Sequence, residues 1–207
     1  MIKLKELLNL RNMVYTETIK PKHQKRLERK TPLFHEDIQL PIIEKPENDS
    51  KQTLDELKYL ASLKTNKEYV VEKDDILDSF LPIIEASDAD ISVKEVEKII
   101  KQSVKYIFEL KYKYNRPRPY QLAEFYGIDL NGTELDSMKT PSYPSGHAVQ
   151  GYLVGKVLAE KDKINAELYL SMGEQIAQSR INAKAHYPSD KEYGKKVADV
   201  LYLGLKR

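Results

Sequence analysis

Three short clusters in the second half of the chain combine side chains that can hold a phosphate group and attack its phosphorus. They follow the patterns K-x6-R-P (residues 111–119), P-S-G-H (144–147) and S-R-x5-H-x3-D (179–190). The clusters supply cations, two imidazoles, a carboxylate and a Ser-Gly pair. Because negative charge is spread over the oxygens of a transferring phosphoryl group, this set of groups suits phosphoryl transfer.

The first cluster contributes positive charge. Lys111 and Arg118 can neutralise phosphate oxygens, and the planar guanidinium of an arginine can bind two oxygens at once. With Arg180 of the third cluster they make three cations around one predicted site. Arg116 is an extra candidate for this set, but it lies outside the pattern, and we predict that it is a surface charge.

The second cluster lies where a loop is predicted to become a helix. The first turn of a helix has free N–H groups and a partial positive charge, so Ser145 and Gly146 can cradle phosphate oxygens. Gly146 has no side chain and therefore lets the backbone come close to a ligand. His147 then lies in the first turn and faces the bound group. Taken alone, this tetrapeptide also fits an ordinary helix start.

The third cluster pairs a histidine with a carboxylate. Pro188 separates two predicted helices, so His186 follows one and Asp190 lies in the first turn of the next. A carboxylate at this spacing can bond one ring nitrogen and leave the other as a nucleophile. The alternative is a His-Asp pair that only caps the last helix. The residues alone do not choose whether His147 or His186 attacks.

The strongest predicted helix carries Lys111 to the site. Ser92 and Glu95 form a capping box at its start. An apolar stripe follows at three- and four-residue steps, formed by Val93, Val96, Ile100, Val104 and Ile107. Four residues further the stripe reaches Lys111, which places an ammonium on the buried face, where it needs an anion. Two prolines within residues 115–119 end the helix.

The other predicted elements are helical as well. Capping boxes, apolar periodicity and prolines place them from Thr53 to about residue 64, over 74–81 up to Pro82, over 145–161 and 165–184, and from Ser189 onwards. No alternating strand pattern competes with them. The predicted fold class is therefore all-α, a helical bundle.

Composition excludes several classes of protein. A net charge of +2 gives no reason to expect nucleic-acid binding. The absence of cysteine rules out disulfides, thiolate zinc sites and a cysteine nucleophile. No apolar run is long enough for a membrane span. Glu6 and Asn9 interrupt any apolar core of a signal peptide, so we predict no secretory signal and a cytoplasmic location.

The first 30 residues carry nine Lys or Arg against three Glu. This basic excess could dock on an acidic face of the protein or of a partner, or could be a solvated arm. Three prolines between residues 31 and 52 indicate an extended connector that wraps the domain. We therefore predict a basic extension and connector over residues 1–52 and a helical domain over 53–207.

In order and spacing, all eleven positions of the three clusters resemble the type 2 phosphatidic acid phosphatase superfamily. That superfamily includes the bacterial class A nonspecific acid phosphatases and the vanadium haloperoxidases. The resemblance covers about residues 90–195, and residues 114–120 and 141–147 are most similar to the soluble acid phosphatases. It implies an all-helical bundle with the site between helices.

The resemblance also implies a role for each residue. His186 would attack phosphorus and become a phosphohistidine, Asp190 would hold its ring, and His147 would protonate the leaving alcohol and then activate water. The residues that bind phosphoryl oxygens would be Lys111, Arg118, Ser145, Gly146 and Arg180. No metal or other cofactor is implied, because the cations do what magnesium does elsewhere. Vanadate would then act as an inhibitor.

Two other functions use the same residues. In a vanadium-dependent haloperoxidase, vanadate would be the cofactor in the phosphate position and His186 its ligand. A non-catalytic module would only bind phosphate. The expected partner of a phosphatase is a small phosphorylated substrate, and the loop over residues 120–143 is expected to border its entrance. Whether the chain forms a homo-oligomer is left open.

Overall fold

The computed structural model describes residues 4–15, 20–133 and 135–206. Regular structure in these ranges is helical, and the one β-type pairing is a single bridge between Phe34 and Leu205. The predicted all-α class is therefore confirmed. The α-helices are α1 (Leu4–Arg11), α2 (Pro21–Leu27), α3 (Lys51–Ser62), α4 (Lys67–Glu72), α5 (Ile76–Glu85), α6 (Val93–Tyr114), α7 (Pro119–Phe125), α8 (Gly146–Lys161), α9 (Ala166–Asn182) and α10 (Pro188–Leu203). A short 3₁₀ helix covers Asp136–Met138.

Helix α8 lies at the centre of the bundle, against α9, α10 and α6. A Cβ added to Gly155 of α8 would lie 2.8 Å from the carbonyl oxygen of Tyr169 in α9. A Cβ added to Gly173 of α9 would lie 2.6 Å from the carbonyl oxygen of Gly151 in α8. Since Cβ atoms do not come that close, the glycines allow the two helix backbones to touch. On its other side α8 shares an apolar core with α6 and α10 that includes Ile107, Phe108, Leu153, Val157, Val197 and Leu201.

Helix α6 forms as its sequence predicts. The Ser92 hydroxyl accepts a hydrogen bond from the Glu95 N–H at 3.3 Å, which caps the first turn. The stripe faces the core, and Lys111 at its end is buried. Asn115 then takes a left-handed conformation with φ of 46°, and its N–H donates to the Lys111 carbonyl. This ending directs the chain from α6 into residues 116–118.

Two helices begin earlier than predicted. Helix α3 begins at Lys51 because the hydroxyl of Ser50, and not that of Thr53, accepts the N–H three residues on. Helix α10 begins at Pro188, a residue suited to the first position because its missing N–H is not needed there. The first difference comes from the Ser50 cap and the second from Pro188, and the Thr53 and Ser189 patterns identified neither.

Helix α5 continues past Pro82, where the sequence predicted its end. It runs from Ile76 to Glu85, with Pro82 inside it. A proline removes one backbone hydrogen bond from the turn before it. The following turn remains helical, its carbonyl at Pro82 accepts the Ala86 N–H, and Ile84 is buried in the core.

The described part of the N-terminal segment packs on the bundle. Phe34 is buried in the main core, and the hydroxyl of Tyr193 in α10 donates to the Pro41 carbonyl at 2.6 Å. Residues 1–3 and 16–19 of the predicted basic extension lie outside the described residues. The domain boundary at residue 52 stays a prediction. Among the helices described, none has the length and apolar character that crossing a bilayer requires.

Candidate active site

A cavity of about 310 Å³ opens where α6, α8 and the loop before α10 meet. Five of the eight predicted site residues line it: Lys111, Arg118, Gly146, His147 and His186. Asp190 lies behind His186, and Ser145 lies beneath Gly146 at the start of α8. Arg180 lies behind His147 and contacts Asp74. The fold thus gathers residues that are up to 79 positions apart in the sequence.

His186 is buried and held at both ring nitrogens. Its Nδ1 lies 3.1 Å from Oδ2 of Asp190, and its Nε2 lies 2.8 Å from Nη1 of Arg118. A carboxylate accepts and a guanidinium donates, so these partners select the tautomer with the proton on Nδ1 and the lone pair on Nε2. Burial, together with the charge of Arg118, holds the pKa of His186 well below 6.5. Burial thus favours the neutral imidazole, which is the form that can act as a nucleophile.

Asp190 is fully buried and accepts hydrogen bonds from four groups. They are the ring of His186, the N–H of Tyr187 at 3.0 Å, the hydroxyl of Ser142 and Nη1 of Arg116 at 2.7 Å. Burial alone would raise the pKa of this carboxyl, but Arg116 and the hydrogen bonds hold it well below its ordinary value. Arg116 and the hydrogen bonds thus favour the charged carboxylate.

Arg116 corrects the sequence prediction, because its side chain is 0% exposed and is not a surface charge. The guanidinium bridges Asp190 to Glu56 of α3, 3.2 Å away, and lies 3.8 Å from the ring centre of Tyr187. Two carboxylates offset the cost of burying this cation. Arg116 therefore belongs to the support of the candidate nucleophile.

Glu56 links this support to the start of α10. Its Oε1 accepts the Ser189 N–H at 2.8 Å and its Oε2 accepts the Ser189 hydroxyl at 2.9 Å. A carboxylate at a helix N-terminus is favourable because it meets unpaired N–H groups and the positive end of the dipole. Glu56 thus holds two groups at once: the start of α10, the helix that carries Asp190, and the guanidinium of Arg116.

Lys111 and Arg118 are held at the bottom of the cavity by backbone carbonyls. Lys111 donates to the Pro141 carbonyl, and Arg118 donates to those of Thr140 at 2.7 Å and Ala185 at 2.8 Å. Burial lowers the pKa of Lys111 well below 10.5, with Arg118 adding to the effect. Burial lowers the pKa of Arg118 to about 10. A bound anion would favour the charged form of both side chains.

The N-terminus of α8 faces the same cavity. Ser145 caps the helix, its hydroxyl accepting from the Ala148 N–H at 3.4 Å. The Ser145 N–H donates to the backbone carbonyl of Asp190 at 3.1 Å. A Cβ on Gly146 would lie 3.5 Å from Cγ2 of Ile107 and 3.9 Å from Cε of Lys111, so this end of α8 is adjacent to the lysine. The turn can therefore offer N–H groups to an anion beside Lys111.

His147 lies at the edge of the cavity, with its side chain 16% exposed. Its Nε2 lies 3.0 Å from the Asp74 carbonyl oxygen and 3.5 Å from the Asp74 carboxylate. Burial lowers the pKa of His147 below 6.5, while Asp74 opposes the shift. His147 therefore titrates more readily than His186 on the acidic side of neutrality.

Asp74 holds Arg180 as well as His147. The guanidinium of Arg180 donates to the Asp74 carboxylate, to the Val70 carbonyl at 2.8 Å and to the neighbouring Ser179 hydroxyl at 2.9 Å. The hydrogen bond from His147, with that from Arg180, lowers the pKa of Asp74 to about 2 against the opposing effect of burial. In this structure the third predicted cation thus points at a carboxylate and away from the cavity.

Sequence reasoning did not identify Glu56, Asp74, Ser142 or Arg116 as part of the site. For Arg116 a signal existed, since it alternates with Arg118 in the sequence R-P-R-P. Glu56 lies three residues after Thr53, within the capping pattern that predicted a helix start there, and this pattern gave no signal of a place in the site. Asp74 lies in the short connection between α4 and α5, far from the three clusters, and its sequence context gave no signal. No group of three or more His, Cys, Asp or Glu that could hold a metal ion occurs among the residues whose placement is described.

Comparisons with known proteins agree with the geometry. Residues 99–198 match the PAP2 superfamily. A non-specific acid phosphatase of Providencia stuartii is 37% identical over 90 residues, which cover 42% of this chain and 35% of that protein. A non-specific acid phosphatase of Salmonella typhimurium is 33% identical over 93 residues, which cover 45% of this chain and 37% of that protein. The match thus spans only about a third of the length of these curated relatives.

The fold is similar to that of a solved bacterial vanadium-dependent iodoperoxidase. The TM-score is 0.57 at 16% sequence identity, over 82% of this chain and 53% of the other. At this identity the likeness concerns the fold alone. The family match and the two acid phosphatases confirm, over residues 99–198, the resemblance that the three clusters indicated.

Proposed function

We propose that the PAP2 superfamily domain over residues 99–198 makes this chain a phosphatase that hydrolyses small phosphomonoesters through a phosphohistidine on His186. One observation carries the proposal. His186 lines a cavity together with Lys111, Arg118 and the N-terminus of α8, while its Nδ1 is held by the buried carboxylate of Asp190. This arrangement provides a neutral nucleophile beside an anion-binding surface.

Substrate binding would use the deep end of the cavity. Lys111, Arg118 and the N–H groups at Gly146 would hold the phosphoryl oxygens. Arg118 now donates to His186 Nε2, and it would turn this N–H to a phosphoryl oxygen when substrate binds. That exchange would release the lone pair for attack. Ser145 and Arg180 are retained in the proposed phosphate-binding set, and Arg180 would have to exchange Asp74 for the phosphate.

In the first step, Nε2 of His186 attacks phosphorus in line while the bond from phosphorus to the alcohol oxygen breaks. His147, protonated, gives its proton to that oxygen. The Asp190 carboxylate accepts a hydrogen bond from Nδ1–H of His186 and stabilises the positive charge that develops on the ring. In the second step, His147 takes a proton from water, the water oxygen attacks phosphorus, and the P–N electron pair returns to Nε2.

This division of roles has a pH signature. Activity needs neutral His186 and protonated His147. Because the pKa of His186 lies well below 6.5 and that of His147 lies below 6.5 by less, both forms coexist in acidic solution. The rate should fall at low pH as His186 gains a proton and at higher pH as His147 loses one. The similarity to two non-specific acid phosphatases agrees with this expectation.

The deciding experiment is hydrolysis of p-nitrophenyl phosphate in EDTA, with and without vanadate. The proposal expects hydrolysis without added metal and inhibition by vanadate. The proposed metal independence fails if EDTA abolishes activity and a divalent metal restores it. Absence of hydrolysis combined with phosphate binding would indicate the non-catalytic module.

The haloperoxidase alternative is tested beside it by peroxide-dependent bromination and iodination. Lys111, Arg118, Gly146 and His186 fit a tetrahedral oxyanion, so they would also hold vanadate. Bound vanadate would supply Lewis-acid activation of peroxide. Halide oxidation only after vanadate is added, without phosphatase activity, would overturn the proposal. The cytoplasmic location and the oligomeric state stay predictions.

A further inference from the structure

Two cations of the N-terminal segment border the mouth of the cavity, and the proposed reaction does not use them. Lys22 and Arg26 of α2 line the cavity together with Lys111 and Arg118. Lys22 is exposed and Arg26 is half-buried, whereas Lys111 and Arg118 are buried. The cavity therefore has one pair of cations at its deep end and a second pair at its mouth.

Helix α2 is docked firmly enough to hold these cations in place. His23 is buried, its Nδ1 lies 2.8 Å from the Tyr112 hydroxyl, and its ring packs edge-on against Phe108 at 5.0 Å. After the helix, Arg29 donates to the Lys101 carbonyl at 2.8 Å. All three partners belong to α6, which also carries Lys111. The two pairs of cations are thus tied to one helix.

Lys22 and Arg26 lie four residues apart, on one face of α2. Like charges at this spacing repel each other. Neither forms an ion pair in the described part of the chain, and Arg26 lies 5.4 Å from the ring centre of Phe108. Among the described lining residues, five are Lys or Arg, and the single acidic one, the exposed Asp136, pairs with Lys139 and is also near enough to interact with the charge of Lys22. An anion at the mouth would relieve this repulsion.

We propose that Lys22 and Arg26 bind a second phosphate group of the substrate while Lys111 and Arg118 hold the phosphate that is cleaved. The preferred substrates would then be small molecules with two phosphate groups. A volume of about 310 Å³ suits a small ligand. This inference rests on the proposed phosphatase function for its kinetic consequence, but the binding it describes can be measured without turnover.

The first test is equilibrium binding by calorimetry of methylphosphonate and methylenebisphosphonate to the whole chain. We expect the wild type to prefer the bisphosphonate. In the Lys22→Ala/Arg26→Gln double variant, the ratio of the two dissociation constants should fall by about three- to tenfold, as expected for charge contacts that are accessible to water. Lys25→Ala is the matched control, because Lys25 is on the same helix but does not line the cavity.

Arg26→Lys should keep most of the preference, since it retains the charge. If the double variant proves unstable, Lys22→Ala alone serves, because this exposed side chain supports no packing. An unchanged preference in the cation variants, or an equal loss in Lys25→Ala, would overturn the inference. So would a wild type that binds both phosphonates equally well.

Kinetics separate this inference from the proposed function. The double variant should retain kcat/KM for p-nitrophenyl phosphate within about twofold. Its ratio of kcat/KM for a nucleoside 3′,5′-bisphosphate to that for the 5′-monophosphate should fall by about the same factor as the binding preference. If no phosphate ester is hydrolysed, the phosphatase proposal fails while the binding test still decides this one. If hydrolysis proceeds and selectivity does not change, the second-phosphate site is wrong and the phosphatase stands.

Discussion

The two histidines of the cavity have opposite surroundings. His186 is buried, and its partner Asp190 is 0% exposed and supported by Arg116, Glu56 and Ser142. His147 is at the cavity edge, and the side chain of its partner Asp74 is 51% exposed, on a short connection between two helices. A nucleophile needs fixed geometry, whereas an acid that later acts as a base needs an adjustable proton affinity. The contrast favours the proposed roles, with His186 as the nucleophile and His147 as the acid, which the residue types alone left open.

The energetic consequences should differ as well. A buried charge network loses several kcal/mol when one member is removed, because the remaining charges are left uncompensated. A partly exposed pair loses far less, since water replaces the missing partner. Substitutions on the His186 side should therefore affect both stability and turnover, and those on the Asp74 side should mainly affect pH dependence.

The largest effect is expected for His186→Ala. Without Nε2 no phosphoenzyme can form, and turnover of p-nitrophenyl phosphate should fall by about four orders of magnitude or more. Labelling with a radioactive phosphate ester, quenched in alkaline detergent, should give an alkali-stable, acid-labile adduct in the wild type and none in the variant. His35→Ala, at an exposed histidine, is the control. A fully active His186→Ala protein would exclude this residue as the nucleophile.

His147→Ala should come next, and its effect should depend on the leaving group. Loss of a general acid costs about 10²- to 10⁴-fold for an alkyl phosphate, whose alcohol leaves poorly without a proton. The loss should be much smaller for 2,4-dinitrophenyl phosphate, which needs no protonation. Plotting rate against leaving-group pKa for both proteins measures this. Equal losses across the series would contradict the acid role and weaken the contrast between the histidines.

Arg116→Ala tests the buried support of Asp190. We expect about 3–5 kcal/mol of lost stability, measured by urea unfolding, because Asp190 and Glu56 would remain buried without their cation. Turnover should fall by about 10- to 100-fold. The acidic limb of the pH profile should move to higher pH, since removing a nearby cation raises the pKa of His186.

The conservative control at this position is Arg116→Lys. It keeps the charge but cannot bridge two carboxylates with a planar fork, so an intermediate loss is expected. Lys113→Ala, at an exposed position near the end of α6, should change neither stability nor rate. If Arg116→Ala lowers stability without moving the acidic limb, Arg116 supports the fold only.

Asp74→Asn should have the smallest effect on the maximal rate and a clear effect on its pH dependence. The negative charge of Asp74 raises the pKa of His147 and so opposes the lowering of that pKa by burial. The same charge also neutralises Arg180. Removing its charge should therefore lower the pKa of His147 further. The alkaline limb should move down by about one pH unit, while the acidic limb set by His186 stays in place. A shift of the alkaline limb to higher pH would reverse our assignment.

The sequence predicted those parts of the molecule that local pattern determines. The Ser92 cap, the stripe of α6 that ends at Lys111 and the start of α8 near Ser145 all depend on neighbours within a few residues, and the structure confirms them. The eight proposed site residues came from spacing and family resemblance. Their catalytic roles remain predictions, although the structure places most of them around one cavity.

What the sequence did not provide depends on contacts over long separations. Arg116 was predicted to be a surface charge because nothing near it in the chain indicated Glu56, which lies 60 positions earlier. Asp74 is 106 positions from Arg180, and only the fold brings them together. Pro82 has a known local effect, but the packing of Ile84 outweighs it. Charge pairing between distant helices is a property of the assembled core and leaves no periodic signal.

The hydrogen bond from the Ser145 N–H to the Asp190 carbonyl has a consequence for alignment. It joins the helix that would bind the phosphate to the helix that orients the nucleophile, through backbone atoms that no side-chain substitution removes. A small shift of α8 would therefore carry α10 along with it, and the distance between anion and attacking nitrogen would change less than the position of either. The N-terminus of α8 and the end of α10 that carries Asp190 are thus linked directly to each other. Substitutions elsewhere in the chain can shift both helix ends together while the spacing between them is preserved.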